Sequence, residues 1–203
     1  ALGDIVHAMV VLQFIKKFNK DILIDWFVEE SFRALLEFNP DINKVHLVNI
    51  RNAKKHKSLA ALISEFQKLR KLESYDLVID MQGLIKSAII SKLIPSKLTV
   101  GFDKLSVREK FASTLYNKTF KYAYEANIIH RNVALIEYAL GLNVGVNEIQ
   151  DKVSFLYSGN QKLAIKLSTS KKNIVLIPGA SHITKRYPVS KFVEITKLIE
   201  ANY

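Results

Sequence analysis

The sequence contains no cysteine among its 203 residues. Disulfides and thiolate metal sites are thereby excluded, and the absence fits a reducing compartment. No apolar run approaches the roughly 18 residues that a membrane-spanning helix needs. No signal-peptide pattern opens the chain, since Ala1 leads straight into Gly3-Asp4. The histidines, at positions 7, 46, 56, 130 and 182, show no i, i+4 pairing and no other ligand spacing. No histidine metal site is therefore expected. Internal repeats and low-complexity tracts are missing as well. Tryptophan occurs once, as Trp26, inside an apolar run that reads as core. Together these absences point to a soluble, cytoplasmic protein.

Acidic residues are few beside basic ones: 19 Asp+Glu face 30 Lys+Arg, a formal net charge of +11. With 49% hydrophobic and 24% charged residues the chain is globular rather than disordered. Such a balance favours a polyanionic partner, be it nucleic acid, an anionic membrane face or an acidic substrate. Solvated lysines on helix faces give the same count without any partner. A non-catalytic basic module binding nucleic acid or membrane is thus one reading. The Lys-rich helices carry no recognised nucleic-acid motif and no aromatic–basic interleaving, so a nucleic-acid partner is not expected.

Short apolar runs alternate with longer amphipathic stretches. Residues 22–28, 45–48, 77–80, 98–100 and 173–177 read as buried strands, each short, rich in β-branched residues and bounded by polar or turn residues. Residues 5–18, 57–72, 84–94, 107–117, 129–140, 160–168 and 190–201 carry helical spacing. Ser106-Val-Arg-Glu109 has the capping-box form of a helix start. The alternation predicts an α/β fold with a parallel sheet covered by helices. The segment from Asp151 to Lys172 reads as an interdomain connection. The expected domains are 1–158, a linker region at 159–172, and the beginning of a second domain at 173–203. The chain opens at a loop-to-helix junction and closes after one βα unit, so a fragment truncated at both ends is expected.

Three loops and a set of basic residues carry candidate chemistry. Gly3-Asp4 enters the first helix. Asp4 is an N-cap on one reading. On the other it is a carboxylate at the strand ends, where ligands of open α/β sheets bind. Asp80-Met-Gln-Gly-Leu-Ile-Lys-Ser87 follows a strand and opens a helix. It is either an ordinary βα turn capped by Asp80 or a ligand loop in which Gly83 permits close approach. Pro178-Gly-Ala-Ser-His-Ile-Thr-Lys-Arg-Tyr-Pro188 ends a strand with glycine, a hydroxyl at Ser181 and cations at Lys185 and Arg186. That chemistry suits a diphosphate, although the spacing is not that of a Walker loop. Arg51, Lys54, Lys55 and Lys57 follow a strand, and Lys104, Arg108, Lys110 and Arg131 lie at helix starts, where they could surround one cleft.

Five blocks occur in order: Leu2-Gly-Asp-Ile-Val-His7, Asp25-Trp-Phe-Val-Glu-Glu30, Asp80 to Ala88, Arg108-Glu-Lys-Phe-Ala-Ser113 and Thr184-Lys-Arg-Tyr-Pro188. Their order and spacing resemble the lipopolysaccharide heptosyltransferase I family over nearly the whole chain. The resemblance implies a GT-B fold of two Rossmann-like domains, the N-terminal one binding acceptor and the C-terminal one binding donor. It implies an inverting transfer of L-glycero-D-manno-heptose from ADP-heptose to Kdo of the lipid A–Kdo acceptor, in lipopolysaccharide inner-core biosynthesis. A II-type heptosyltransferase with another core acceptor is the related alternative. Residue by residue, Asp4 matches the general base, and Ser181 and Lys185 match donor-phosphate positions. Arg51, Lys54, Lys55, Gln82, Gly83, Lys86 and Arg108 match the acceptor side, where Kdo carboxylates and lipid A phosphates need cations. No cofactor and no metal are implied beyond the ADP-heptose donor. The implied location is cytoplasmic, peripheral on the anionic cytoplasmic face of the inner membrane. The family's first strand, expected before Leu2, and its Asp-Thr-Gly-x-x-His donor motif, expected beyond Tyr203, are not in the chain. Ala180 stands where the family commonly has a hydroxylated residue.

Overall fold

The computed structural model describes residues 2–50, 58–159, 168–170, 172–180 and 182–202. They fall into two compact units, Ala1–Gly159 and Asn160–Tyr203.

In the first unit every described ladder is parallel. Strand β1 (Asp25–Glu29) pairs with β2 (Lys44–Val48). Strand β3 (Tyr75–Asp80) pairs with β4 (Ser96–Phe102), and β4 with β5 (Lys118–Phe120). Parallel neighbours require a crossover between them: a 3-10 turn (Glu30–Leu35) for β1 and β2, a helix for β3 and β4, and a 3-10 turn (Lys110–Leu115) for β4 and β5. Helix α3 (Leu59–Arg70) lies between β2 and β3, and α4 (Ile85–Leu93) between β3 and β4. Helices α1 (Leu2–Met9), α2 (Val11–Phe18) and α5 (Ile128–Leu140) complete the main set, with a short α6 (Val146–Gln150) after them.

Side chains alternate across a strand, so an apolar run on both parities needs helices on both faces. Trp26 and Val28 pack with Met9, Leu12 and Leu36, whereas Phe27 packs with Val48, Ile50, Leu69 and Ile94. Strand β3 repeats the division. Leu77 and Ile79 face Val100, Phe102 and Leu135, while Val78 joins the cluster beneath α3 and α4. That latter cluster contains residues of both β2 and β3, and so joins the two ladders into one core. Local signals set the helix ends. The Ser58 hydroxyl accepts from Ala61 N at 3.2 Å, and Asn127 Oδ1 accepts from Ile129 N at 2.9 Å. Gly141 closes α5 in the left-handed region at φ 68°. The extended segment 152–159 is fastened to the same unit. Val153 N donates to Gln13 Oε1 at 3.0 Å, and the Asn39 amide donates to the Phe155 carbonyl at 3.1 Å.

Several expected elements differ. The strand expected over 22–28 begins only at Asp25, where pairing with Lys44 starts. The helix expected over 5–18 is two helices broken at Val10. The helix expected over 107–117 is a 3-10 turn, Lys110–Leu115. Ser106 does not cap it: its hydroxyl accepts from Tyr122 N at 2.9 Å and donates to Asp103 Oδ1 at 2.6 Å. Residues 173–177 form no ladder among the described residues, and Ile174, Val175, Leu176 and Ile177 are exposed there. A strand is defined by its partner, and none of the described residues pairs with this run. The helix expected over 160–168 lies outside the described residues up to position 167. A 3-10 turn, Glu30–Leu35, was not expected. The second unit contributes a 3-10 turn, Ile183–Lys185, and helix α7 (Val189–Asn202).

Candidate active site

Parallel pairing puts the carboxyl ends of neighbouring strands on one edge, which is where open α/β sheets bind ligands. The last residue of β3, Asp80, stands opposite Gly101 in the ladder and is 4% exposed. Its carboxylate faces inward and organises the loop that follows. Oδ1 accepts from Gln82 N at 2.8 Å and Gly83 N at 3.2 Å. Oδ2 accepts from the Ser87 and Tyr116 hydroxyls, both at 2.7 Å. Burial pushes the Asp80 carboxyl above the usual carboxylate range, against the pull of its four donors. Burial, together with the neighbouring Asp80 charge, also pushes the Tyr116 phenol up.

The Tyr116 ring reaches Asp80 across Gly101. A Cβ on Gly101 would lie 2.3 Å from that ring. Gly83 turns the loop at φ 65° and lies against Val107, 3.2 Å from where its own Cβ would stand. Leu84 N donates to the Ser87 hydroxyl at 3.1 Å, and Ile85 N donates to Glu109 Oε2 at 2.6 Å. The N–H groups of residues 82–85 are thus all taken by the protein's own oxygens. An anion arriving here meets side-chain cations rather than a backbone cradle.

Those cations sit beside the loop. The segment after β4 is held by Asp103, whose Oδ1 accepts from Leu105 N, Ser106 N and the Ser106 hydroxyl. Val107 and Ser106 are buried; Lys104, Arg108 and Lys110 are exposed, and their side chains make no hydrogen bond or ion pair among the described residues. Lys86 Nζ lies 2.8 Å from Glu29 Oε1, tying the start of α4 to the carboxyl end of β1.

Of the residues expected on the acceptor side, Gln82, Gly83, Lys86 and Arg108 therefore fall on one edge of the first unit. Gln82 is half-buried and its carboxamide has no hydrogen bond among the described residues. Arg51, Lys54 and Lys55, with Lys57, lie outside the described residues, as does Ser181. Asp4 is exposed in the first turn of α1, and its neighbour Ile5 packs on the cluster that contains Val28. Lys185 is exposed at the end of its 3-10 turn in the second unit. Beside it, Arg186 Nε donates back to the Ala180 carbonyl at 2.8 Å.

Arg131, expected beside the same cleft, does not join these exposed cations. It is 7% exposed and points into the protein, where its guanidinium donates to the Tyr124 and Ser106 carbonyls. It is sandwiched between the Phe102 and Tyr124 rings, 4.8 Å from each centroid. Its task is to hold the loop that carries Arg108. Sequence spacing also gave no sign of the Asp80–Tyr116 bond or of the Lys86–Glu29 pair, because each joins residues far apart in the chain. A further unforeseen cluster lies away from this edge, where Asp25 Oδ2 meets His46 Nε2 at 2.8 Å and the Tyr75 hydroxyl at 2.7 Å. Among the described residues, no group of three or more His, Asp or Glu could hold a metal ion, and no helix is long and apolar enough to cross a membrane.

The sequence model of Glycosyltransferase family 9 (heptosyltransferase) matches residues 63–203. The chain belongs to this family. Lipopolysaccharide heptosyltransferase 1 of Campylobacter coli is 38% identical over 98% of the chain. The chain spans 58% of that relative's length. Among solved structures, E. coli heptosyltransferase WaaC with ADP-2-deoxy-2-fluoro heptose matches with a TM-score of 0.76 at 25% identity, over 98% of this chain and 62% of that one. E. coli ADP-heptose lps heptosyltransferase II matches over the whole chain and 60% of its own, with a TM-score of 0.61 at 20% identity, and so shares the fold. The α/β architecture of this family 9 glycosyltransferase chain is therefore of the GT-B type, with the second domain partly covered.

Proposed function

We propose that this protein is an inverting heptosyltransferase of the lipopolysaccharide inner core, moving L-glycero-D-manno-heptose from ADP-heptose to Kdo of the lipid A–Kdo acceptor. The observation that carries the reading is the 38% identity, along 98% of the chain, to a protein named lipopolysaccharide heptosyltransferase 1. The first unit binds acceptor, with Arg108, Lys86 and the Arg51, Lys54 and Lys55 segment meeting its carboxylates and phosphates, and with Gln82 on the loop that Gly83 turns. The second unit begins the donor site.

In this reading the Asp4 carboxylate takes the proton of a Kdo hydroxyl as that oxygen attacks C1 of heptose. The C1–O bond to ADP breaks, its electron pair leaves with the diphosphate, and a single displacement from the opposite face inverts C1. Lys185, with the Ser181 hydroxyl, offsets the charge that grows on the departing diphosphate. No metal or other cofactor takes part. The enzyme is cytoplasmic and peripheral on the inner membrane, where its acceptor resides.

The test is heptose transfer from ADP-heptose to a Kdo-lipid A acceptor by the intact protein. Asp4→Ala is expected to lower turnover at least about a hundredfold, with the circular-dichroism spectrum of the folded protein retained. Normal turnover in that variant removes Asp4 from the role of base. Absence of transfer by the unmodified protein, or preference for a heptosylated core acceptor in a panel, overturns the assigned reaction.

A further inference from the structure

The segment from Asp103 to Phe111 displays two large apolar side chains and three cations on the outside of a firmly held turn. Leu105 is 68% exposed and Phe111 61% exposed. Neither is the product of a loose loop. Asp103 fixes the turn through three hydrogen bonds that leave Lys104 and Leu105 outside while Ser106 and Val107 are buried. In the following 3-10 turn Ala112 is completely buried, which leaves Lys110 and Phe111 outside.

The charges are sorted in the same way. The segment contains Asp103 and Glu109, and both carboxylates accept from the protein's own N–H groups, Glu109 from the N-terminus of α4. Lys104, Arg108 and Lys110 have no such partner among the described residues and are exposed. Acids bonded to the protein's own N–H groups, with cations and large apolar side chains exposed within nine residues of chain, form the pattern of a surface that settles into the headgroup layer of an anionic bilayer. A protein partner would match the apolar groups equally well, but the uncompensated Lys104 and Lys110, next in the chain to Leu105 and Phe111, favour a sheet of negative charge.

We infer that Leu105 and Phe111, with Lys104 and Lys110 beside them in the chain, are the surface through which this protein docks on anionic phospholipid, while Arg108 is kept for the acceptor. The inference names the contact for the peripheral membrane partner of the proposed function and rests on that reading. It also gives the acceptor loop a direction. Gly83 lies against Val107 and Glu109 binds α4, so the docked segment and the loop at Gln82–Lys86 are one structure. The glycolipid headgroup is then met at the depth where its lipid A is anchored.

The experiment is co-sedimentation of the intact protein with vesicles of phosphatidylethanolamine and phosphatidylglycerol, against vesicles of phosphatidylcholine alone. Binding to the first and not the second is expected. Leu105→Ser with Phe111→Ser is expected to lower the partition coefficient about tenfold, as is Lys104→Gln with Lys110→Gln. The apolar double variant is also assayed for heptose transfer to a delipidated, water-soluble Kdo acceptor, which should proceed as in the unmodified protein. Unchanged partition of the apolar variant, or equal binding to phosphatidylcholine, overturns the docking surface. So does a concentration-dependent dimer that the apolar variant abolishes, because a second copy is then the occupant. Should the unmodified protein bind anionic vesicles yet transfer no heptose to the soluble acceptor, the reaction fails while the docking surface stands.

Discussion

Asp80 illustrates how far one carboxylate governs its surroundings. Four donors converge on it, two from backbone and two from hydroxyls, and one of those hydroxyls belongs to Tyr116, 8% exposed. Asp80→Ala strands the Tyr116 hydroxyl and two loop N–H groups, and each buried orphan costs about 1–3 kcal/mol. A loss of about 3 kcal/mol in urea denaturation is therefore expected, against about 1 kcal/mol for Tyr116→Phe. Equal losses for the two would mean that the carboxylate is not the centre of the network. Gly101→Ala attacks the same bond from the strand, since its Cβ would stand 2.3 Å from the Tyr116 ring. Sequence reasoning placed Asp80 rightly at the end of a strand but left its carboxylate either a helix cap or a ligand group. Tyr116 lies 36 residues further on, and no local spacing announces such a partner.

Among the elements, the strand–helix alternation was legible because hydrophobic period depends on neighbours within a few residues. It failed where the outcome depends on remote partners. The run at 173–177 has strand composition but no ladder among the described residues. The box from Ser106 to Glu109 has capping form, yet Asp103 claims the serine and the N-terminus of α4 claims the glutamate. Non-local polar contacts also link β1, β2 and β3. Asp25 accepts from the Asn43 amide at 2.8 Å, contacts His46 and accepts from the Tyr75 hydroxyl, while Phe27 stacks on His46 with ring centroids 4.5 Å apart. Burial pushes the Asp25 carboxyl up, but the hydrogen bonds from His46, Asn43 and Tyr75 outweigh it and hold the group below its usual range. A carboxyl lowered in the fold adds stability above its unfolded pKa and loses it as pH falls through the folded value. The stability gap between the unmodified protein and Asp25→Asn should accordingly narrow as pH is taken from about 6 to about 3. A gap that stays constant over that range would show that Asp25 is bound no better as a carboxylate than as a neutral group.

At the scale of the whole molecule, the charge of +11 pointed to a polyanionic partner without choosing one. Family membership narrows the choice, and the division into two compact units makes it testable. Gln82, Gly83, Lys86 and Arg108 belong to the first unit and Lys185 to the second. Arg108 and Lys185 are both exposed, so removing either leaves no buried charge behind and little folding cost. If the proposed heptose transfer is the reaction, their kinetic effects should separate by substrate. A charge-assisted hydrogen bond contributes about 1.5–3 kcal/mol, so Arg108→Ala should raise KM for the Kdo-lipid acceptor about tenfold or more and leave KM for ADP-heptose near its original value. Lys185→Ala should act on the other substrate. It should raise KM for ADP-heptose and, because the diphosphate gains charge only as C1–O breaks, also lower kcat. Initial rates measured with each substrate varied in turn decide the matter. If Arg108→Ala weakens donor and acceptor alike, the guanidinium does not belong to an acceptor site. If Lys185→Ala changes KM for ADP-heptose without touching kcat, the lysine holds the donor but does not stabilise its departure.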